Sequence, residues 1–130
     1  MVFTLNLRLW TQKNLRSPPI LNIYRKYFAP EVDEINIGDH LFVQREAYTH
    51  HGIYYGNGQV IHYLLKSVTI DSLDTFANGS VILKKSKLES PASYSETEII
   101  IRGESRIGES KYNLIFNNCE HFTRWCRCGD

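Results

Sequence analysis

Apolar and polar side chains alternate along several short segments of the chain. The first covers residues 2–10, in which every second residue is apolar, a period typical of a strand with one buried face. Further strands are predicted where short runs of β-branched and aromatic residues lie between turn residues. These runs cover residues 40–44, 50–55, 59–64, 66–70 and 81–84. Residues 71–78 predict a turn or a single helical turn.

Two helices are predicted in the last third of the chain. Ser95 followed by Glu98 has the spacing of a capping box, so a helix is expected to begin there and to run to about Ile107. Ile99, Ile107 and one of the two isoleucines at 100 and 101 can then share a buried face. Asn118 is a favoured N-cap residue and is expected to start the second helix.

The length of 130 residues predicts one domain, because single cores typically take ~100–150 residues. A hydrophobic content of 42% and a charged fraction of 22% argue against intrinsic disorder. Prolines at 18, 19 and 30 interrupt the N-terminal segment. Residues 1–30 are therefore interpreted as an extension, a strand or a covering arm, ahead of a domain at 31–130. Packing of this arm against the domain is favoured over contact with a membrane surface.

Charge and cysteine usage limit the partners and the compartment. The formal net charge of +1 gives no reason to expect a nucleic-acid partner. Three cysteines cannot all pair, and Cys126 and Cys128 are too close in sequence for a comfortable bridge, so a reduced, cytoplasmic setting is expected. Neither a signal-peptide pattern nor a stretch of ~20 apolar residues is present. Membrane contact is therefore expected to be peripheral at most.

Cys119 is the candidate nucleophile. It follows the predicted N-cap directly, so it lies in the first helical turn, where backbone N–H groups and the helix dipole favour an anion. Thiol pKa values in such places fall from ~8.5 to ~3.5–7.5. The same N–H groups can hold a developing oxyanion. The competing interpretation is a buried, small apolar residue without chemistry.

A thiol nucleophile needs a base, and the base needs an orienting partner. His50 and His51 are consecutive in a predicted strand, so they point to opposite faces. A two-residue turn at 57–58 places His62 on the face of His51. A three-residue loop at 56–58 places it instead on the face of His50, roughly 5–7 Å away. The residues alone leave both arrangements open.

A metal site is the competing use of the C-terminal cysteines and His121. No CxxC or HxxxH spacing is present. On a helix, Cys119 and Cys126 share one side, whereas His121 points about 200° away from Cys119. Neither a metal nor another cofactor is therefore expected.

Three stretches carry a family resemblance. Residues 50–62 fit the box H-x-x-I-Y-x-G-x-x-x-V-x-H, residues 108–114 fit the approach to a nucleophile, and residues 117–122 read Asn-Asn-Cys-Glu-His-Phe. Together they resemble the lecithin retinol acyltransferase domain family, which includes the HRAS-like suppressor phospholipase/acyltransferases. The likeness runs from about residue 37 to 129 and leaves residues 1–30 unexplained.

The resemblance implies an α+β fold of the circularly permuted papain-like (NlpC) type. In that fold a small antiparallel sheet packs on helices, and the nucleophilic cysteine opens the last helix. It assigns Cys119 as the nucleophile, His50 as the base and His62 as the orienting partner. It also chooses the register that the three-residue loop produces.

The implied activity is that of a thiol-dependent acyltransferase/phospholipase. Cys119 would take an acyl group from a lipid ester, typically a glycerophospholipid, and pass it to water, an amine or an alcohol. Two other functions remain open: a peptidase or amidase of the wider thiol superfamily, and a non-catalytic interaction module.

Overall fold

An antiparallel sheet of five strands forms the centre of the part of the chain that the structure describes. The computed structural model describes residues 24–113 and 118–129. The strand order is β4-β3-β2-β1-β5. The strands are β1 (His40–Gln44), β2 (Thr49–Gly56), β3 (Gln59–Leu64), β4 (Ser67–Ser72) and β5 (Leu83–Lys84). The predictions for β1 and β3 are confirmed to the residue, whereas the strand predicted at 2–10 lies outside the described residues.

Helices cover both faces of this sheet, so the predicted α+β class is confirmed. The described residues, 24–113 and 118–129, form a short 3₁₀ turn and three α-helices. The elements are the 3₁₀ turn Arg25–Tyr27, α1 (Leu73–Ala77), α2 (Glu96–Glu104) and α3 (Cys119–Cys128). Ser95 and Asn118 cap α2 and α3 as predicted, each accepting hydrogen bonds from backbone N–H groups of the first turn.

Helix α2 ends three residues earlier than predicted. After Glu104 the chain turns towards β4, where the backbone N–H of Gly108 donates to the carbonyl of Val68 at 2.9 Å. Ile99 is buried, but Ile107 lies beyond the helix and is 47% exposed. The predicted buried face that included Ile107 is therefore wrong, because a hydrogen bond to the sheet replaces the last helical turn.

The two faces of the sheet have separate apolar clusters. One face, here called the α1 face, is covered by Phe76 of α1 and by Phe28 near the end of the N-terminal segment. The other, the α3 face, is covered by Phe122 and Cys126 of α3. Alternation along each strand sends neighbouring residues into different clusters. Consecutive side chains of β2 therefore lie in different chemical surroundings.

The β2–β3 hairpin sets which histidines meet. Asn57 and Gly58 have φ of 51° and 74° and form a two-residue turn, so the predicted three-residue loop is wrong. A β-bulge at Tyr55 then shifts the register of β2 by one residue. Gly52 consequently pairs with His62, which is the register that the resemblance implies.

The neighbours of Gly52 on the α1 face pack so closely that a side chain at this position has no space. A Cβ placed there would lie 2.6 Å from Val60 Cγ1 and 3.0 Å from both Ile61 O and Phe76 Cε1. We expect Gly52→Ala to lower the free energy of unfolding by about 1–3 kcal/mol, because overpacking forces neighbours off their rotamers. Urea unfolding checks this. A value within about 0.5 kcal/mol of wild type would show that the two neighbouring side chains yield easily.

Candidate active site

The local geometry at the start of α3 places Cys119 as the first helical residue. Asn118 Oδ1 accepts hydrogen bonds from the backbone N–H groups of Glu120 and His121, both at 3.0 Å. The Asn118 N–H donates back to His121 Nδ1 at 3.5 Å, which completes a capping box. The imidazole of His121 is therefore engaged in capping α3.

The Cys119 thiol is buried at the edge of β2 and faces a cavity of about 520 Å³. Its Sγ lies 3.9 Å from the carbonyl oxygen of Thr49. Burial raises the pKa of this thiol, although the backbone N–H groups of His51, Glu120 and Cys119 itself pull the pKa down. The depressed pKa expected from the helix start is not found, because the loss of hydration outweighs the N–H groups. The thiol is neutral at pH 7.

His50 and His62 form a buried, hydrogen-bonded pair on the α1 face. His50 Nε2 and His62 Nδ1 are 2.8 Å apart, and His62 Nε2 lies 2.8 Å from Asp71 Oδ2. Asp71 is in turn held by Thr69 Oγ1 at 2.6 Å. Both imidazole rings pack against Phe76, at 5.3 and 5.6 Å between ring centroids. The two predicted histidines thus meet, and a carboxylate extends the chain.

The protonation states along this chain follow from burial and charge. Burial lowers the pKa of His50 to about 3, and repulsion by a protonated His62 and by Arg45 acts in the same direction. Burial also lowers the pKa of His62, against the hydrogen bond and charge of Asp71, which raise it. The hydrogen bond from Thr69 lowers the pKa of Asp71, and so does its contact with His62. At pH 7 the chain consists of two neutral imidazoles and one carboxylate.

Those charges fix the direction of each hydrogen bond. The Asp71 carboxylate can only accept, so His62 Nε2–H donates to it and His62 Nδ1 is left as an acceptor. His50 Nε2–H must then donate to His62 Nδ1. The remaining nitrogen, His50 Nδ1, carries a lone pair and makes no hydrogen bond within residues 24–113 and 118–129. One basic ring nitrogen is therefore available at this end of the chain.

A second histidine pair lies on the α3 face. His51 Nδ1 is 2.8 Å from His40 Nε2, and His51 Nε2 is 2.9 Å from Thr49 Oγ1. His40 Nδ1 lies 2.8 Å from Ser90 Oγ, which also accepts from Arg127 Nε at 3.1 Å. Both ring nitrogens of His51 are thus engaged. Every ring nitrogen of this pair therefore makes a hydrogen bond, whereas the pair on the α1 face leaves His50 Nδ1 without one among the described residues.

Cys119 and His50 line two different cavities that share part of their walls. The larger is lined by Cys119 and the smaller, of about 160 Å³, by His50, and Tyr48 and Tyr112 line both. No hydrogen bond joins Cys119 Sγ to an imidazole among the described residues. The three predicted site residues are thus arranged as one direct pair, with the thiol in the neighbouring cavity.

Comparison with known proteins places this arrangement in a family. The family model described as lecithin retinol acyltransferase matches residues 33–130. The chain belongs to the lecithin retinol acyltransferase family. Lecithin retinol acyltransferase of Rattus norvegicus is 29% identical, over 76% of this chain and 57% of that protein. The protein of that name from Homo sapiens is 30% identical with the same coverage, and human phospholipase A and acyltransferase 1 is 32% identical over 72% of this chain and 67% of its own length.

The match to the lecithin retinol acyltransferases covers only part of those proteins. The chain spans 57% of the length of the lecithin retinol acyltransferases that it matches. Within the described residues no helix is both long and apolar enough to cross a membrane. The same residues contain no group of three or more His, Cys, Asp or Glu side chains that could hold a metal ion.

Sequence reasoning missed several residues of this family member's candidate site. The sequence predicts a turn that begins at Asp71, whereas Asp71 lies in β4, two residues from Thr69 and on the same face, opposite β3. That spacing was the available signal. Tyr48 and Tyr112 were missed because nothing in the sequence brings a β1–β2 turn beside the segment after α2. The pairing of His40 with His51 depends on the β1–β2 register, which the sequence does not define.

Proposed function

We propose that the chain is a thiol-dependent acyltransferase/phospholipase. It removes an acyl group from a lipid ester, with a glycerophospholipid as the donor class, and passes it to water, an amine or an alcohol. The observation that carries the proposal is the chain from Asp71 through His62 to His50, which leaves His50 Nδ1 as a proton acceptor beside the cavity of Cys119. Membership in the family, and relatives named lecithin retinol acyltransferase and phospholipase A and acyltransferase 1, support acyl transfer and a lipid donor.

The first half of the reaction forms an acyl-enzyme. As Cys119 Sγ attacks the ester carbonyl carbon, the thiol proton passes to His50 Nδ1 and a C–S bond forms. The oxygen that becomes negative is stabilised by the backbone N–H of Cys119, since the N–H groups of Glu120 and His121 already donate to Asn118 Oδ1. When the intermediate collapses, the ester C–O bond breaks and the imidazolium returns its proton to the leaving alcohol. The product is a thioester on Cys119.

The second half transfers the acyl group. An acceptor hydroxyl, amine or water gives a proton to His50 Nδ1 while its oxygen or nitrogen attacks the thioester carbonyl. The C–S bond then breaks, and the sulfur recovers the proton from the imidazolium. In both halves, His62 and the Asp71 carboxylate stabilise the transient positive charge on His50 through two charge-assisted hydrogen bonds.

The test is the covalent intermediate. After incubation with a glycerophospholipid, intact-protein mass spectrometry is expected to show one acyl adduct on the wild type. Cys119→Ala should show none, whereas Cys128→Ala, a half-buried cysteine on the same helix, should keep the adduct. An adduct that survives in Cys119→Ala, or a wild type without adduct and without lipid turnover, would contradict the proposal. Turnover of a peptide panel in place of lipid would assign the site to a peptidase or amidase.

A further inference from the structure

Large apolar side chains are exposed around the mouth of the two cavities. Tyr48 is 58% exposed, Leu65 is 83% exposed and Tyr112 is 36% exposed. All three line the cavity that contains His50, and the two tyrosines also line the cavity of Cys119. Scattered apolar residues on a surface need no explanation, but a group at the entrance of a site is a candidate contact surface. We call these three residues the rim.

The backbone at Leu65 shows that this residue is poorly suited to its turn. Leu65 and Lys66 form the two-residue turn between β3 and β4, and Leu65 has a φ of 55°. Turns of this kind favour glycine or asparagine there, because a Cβ clashes with the backbone in the left-handed region. A leucine in this position is costly for the backbone and also exposes an apolar side chain to water. Such an outlier points to a role outside folding.

The chemistry of the rim fits the surface of a lipid bilayer. Tyrosine side chains have an apolar ring and a polar hydroxyl, and they concentrate at the boundary between lipid headgroups and acyl chains. Lys66 is exposed next to Leu65, so its ammonium can contact lipid phosphates while the leucine enters the acyl region. Glu120 lines the larger cavity and Arg45 the smaller one, so charges of both signs lie near the rim and apolar burial dominates this contact.

We propose that Tyr48, Leu65 and Tyr112 dock the protein onto a phospholipid bilayer, with the cavity mouth against the lipid. The inference rests on the proposed function, since it gives a lipid ester a path from the bilayer to the gap between Cys119 and His50. Docked in this way, the enzyme takes its substrate without exposing the acyl chains to water. The turn residue Leu65 is the anchor of this surface.

The test uses Leu65→Gly and a matched control. Glycine removes the anchor and also relieves the positive φ, so the melting temperature should be unchanged or higher. Partition to phosphatidylcholine vesicles, with and without anionic lipid, should weaken roughly tenfold in a co-sedimentation assay, since burying one leucine is worth about that much. Leu88 is 97% exposed in the loop before α2 and does not line either cavity, so Leu88→Gly should bind as wild type.

The outcomes separate this inference from the proposed function. Vesicle binding is measured in the Cys119→Ala background as well as in the wild type, so it does not depend on chemistry. Undiminished binding by Leu65→Gly would overturn the docking surface even if lipid turnover is found. If wild type ignores vesicles but forms a dimer that Leu65→Gly disrupts, the rim is an interface between copies and the inference is equally overturned.

Discussion

Replacing His50 with glutamine is expected to lower kcat/KM for acyl-adduct formation roughly 10²- to 10⁴-fold, the usual contribution of a general base. The same change at His51 should lower it less than about tenfold. The prediction separates two adjacent residues of one strand, and both are buried. Glutamine can keep the hydrogen bond to the neighbouring imidazole in each variant, but it cannot accept a thiol proton.

The difference follows from which ring nitrogens are occupied. His51 points to the α3 face, on which the helix with Cys119 packs, so its position in the fold alone would favour His51 as the base. Its two nitrogens are, however, engaged by His40 and Thr49. His50 has one nitrogen engaged by His62 and the other open to the cavity. A base must have a lone pair to offer, and His50 is the residue that has one.

Single-turnover kinetics with a phospholipid substrate checks this prediction. Circular dichroism melting of each variant shows whether both retain the fold. If both are folded and His51→Gln loses more activity than His50→Gln, the base is on the α3 face and the proposed mechanism is wrong. Equal losses would indicate that both variants disturb the edge of β2 at Thr49 instead of removing a base.

Acidification is expected to destabilise the fold by at least about 4 kcal/mol between pH 8 and pH 5. Burial lowers the pKa of His40 to about 2 and that of His50 to about 3, so both stay neutral in the folded state. In the unfolded chain the pKa of histidine is about 6.5. Below that value the unfolded state binds more protons than the folded state, so stability falls with falling pH. Each of the two groups contributes about 2 kcal/mol at pH 5.

Urea unfolding at pH 8, 6.5 and 5 measures this effect. The pKa values of His51 and His62 are also lowered by burial, so their contributions have the same sign. His40→Gln removes one titrating group and should reduce the difference by about 2 kcal/mol. A stability that is constant from pH 8 to pH 5 would mean that these imidazoles titrate in the native state as they do in the unfolded chain, and it would contradict the prediction. Because His50 is neutral in the folded protein, activity at acid pH should be lost through unfolding instead of through protonation of the base.

Local sequence rules predicted the elements that have local causes. The strands β1 and β3 and the caps at Ser95 and Asn118 follow from alternation and from side chains that bond their own first turn. The helix start at Cys119 was predicted for the same reason. The pKa of its thiol was not, because the burial that raises it comes from residues far away in sequence.

The family resemblance predicts the register of the β2–β3 hairpin correctly, but not the loop that produces it. Local turn preferences allow Asn57-Gly58 as a two-residue turn, and this turn is present. The bulge at Tyr55 has no marker in the sequence, since Tyr55 differs little from Tyr54 beside it. Asp71 and the pairing of His40 with His51 were missed because both depend on which strands are neighbours. Such contacts are non-local and need the assembled sheet.

The bulge at Tyr55 also determines which of two adjacent histidines receives His62 as its partner. His62 and Asp71 are carried together by the β3–β4 hairpin, whose register is independent of β2. If Tyr55 took a regular place in the ladder, that hairpin would deliver both groups to His51. In the proposed mechanism, the choice of proton acceptor thus depends on strand alignment several residues from either ring. Related chains could exchange the roles of two neighbouring imidazoles by gaining or losing one bulge, with every reactive residue kept.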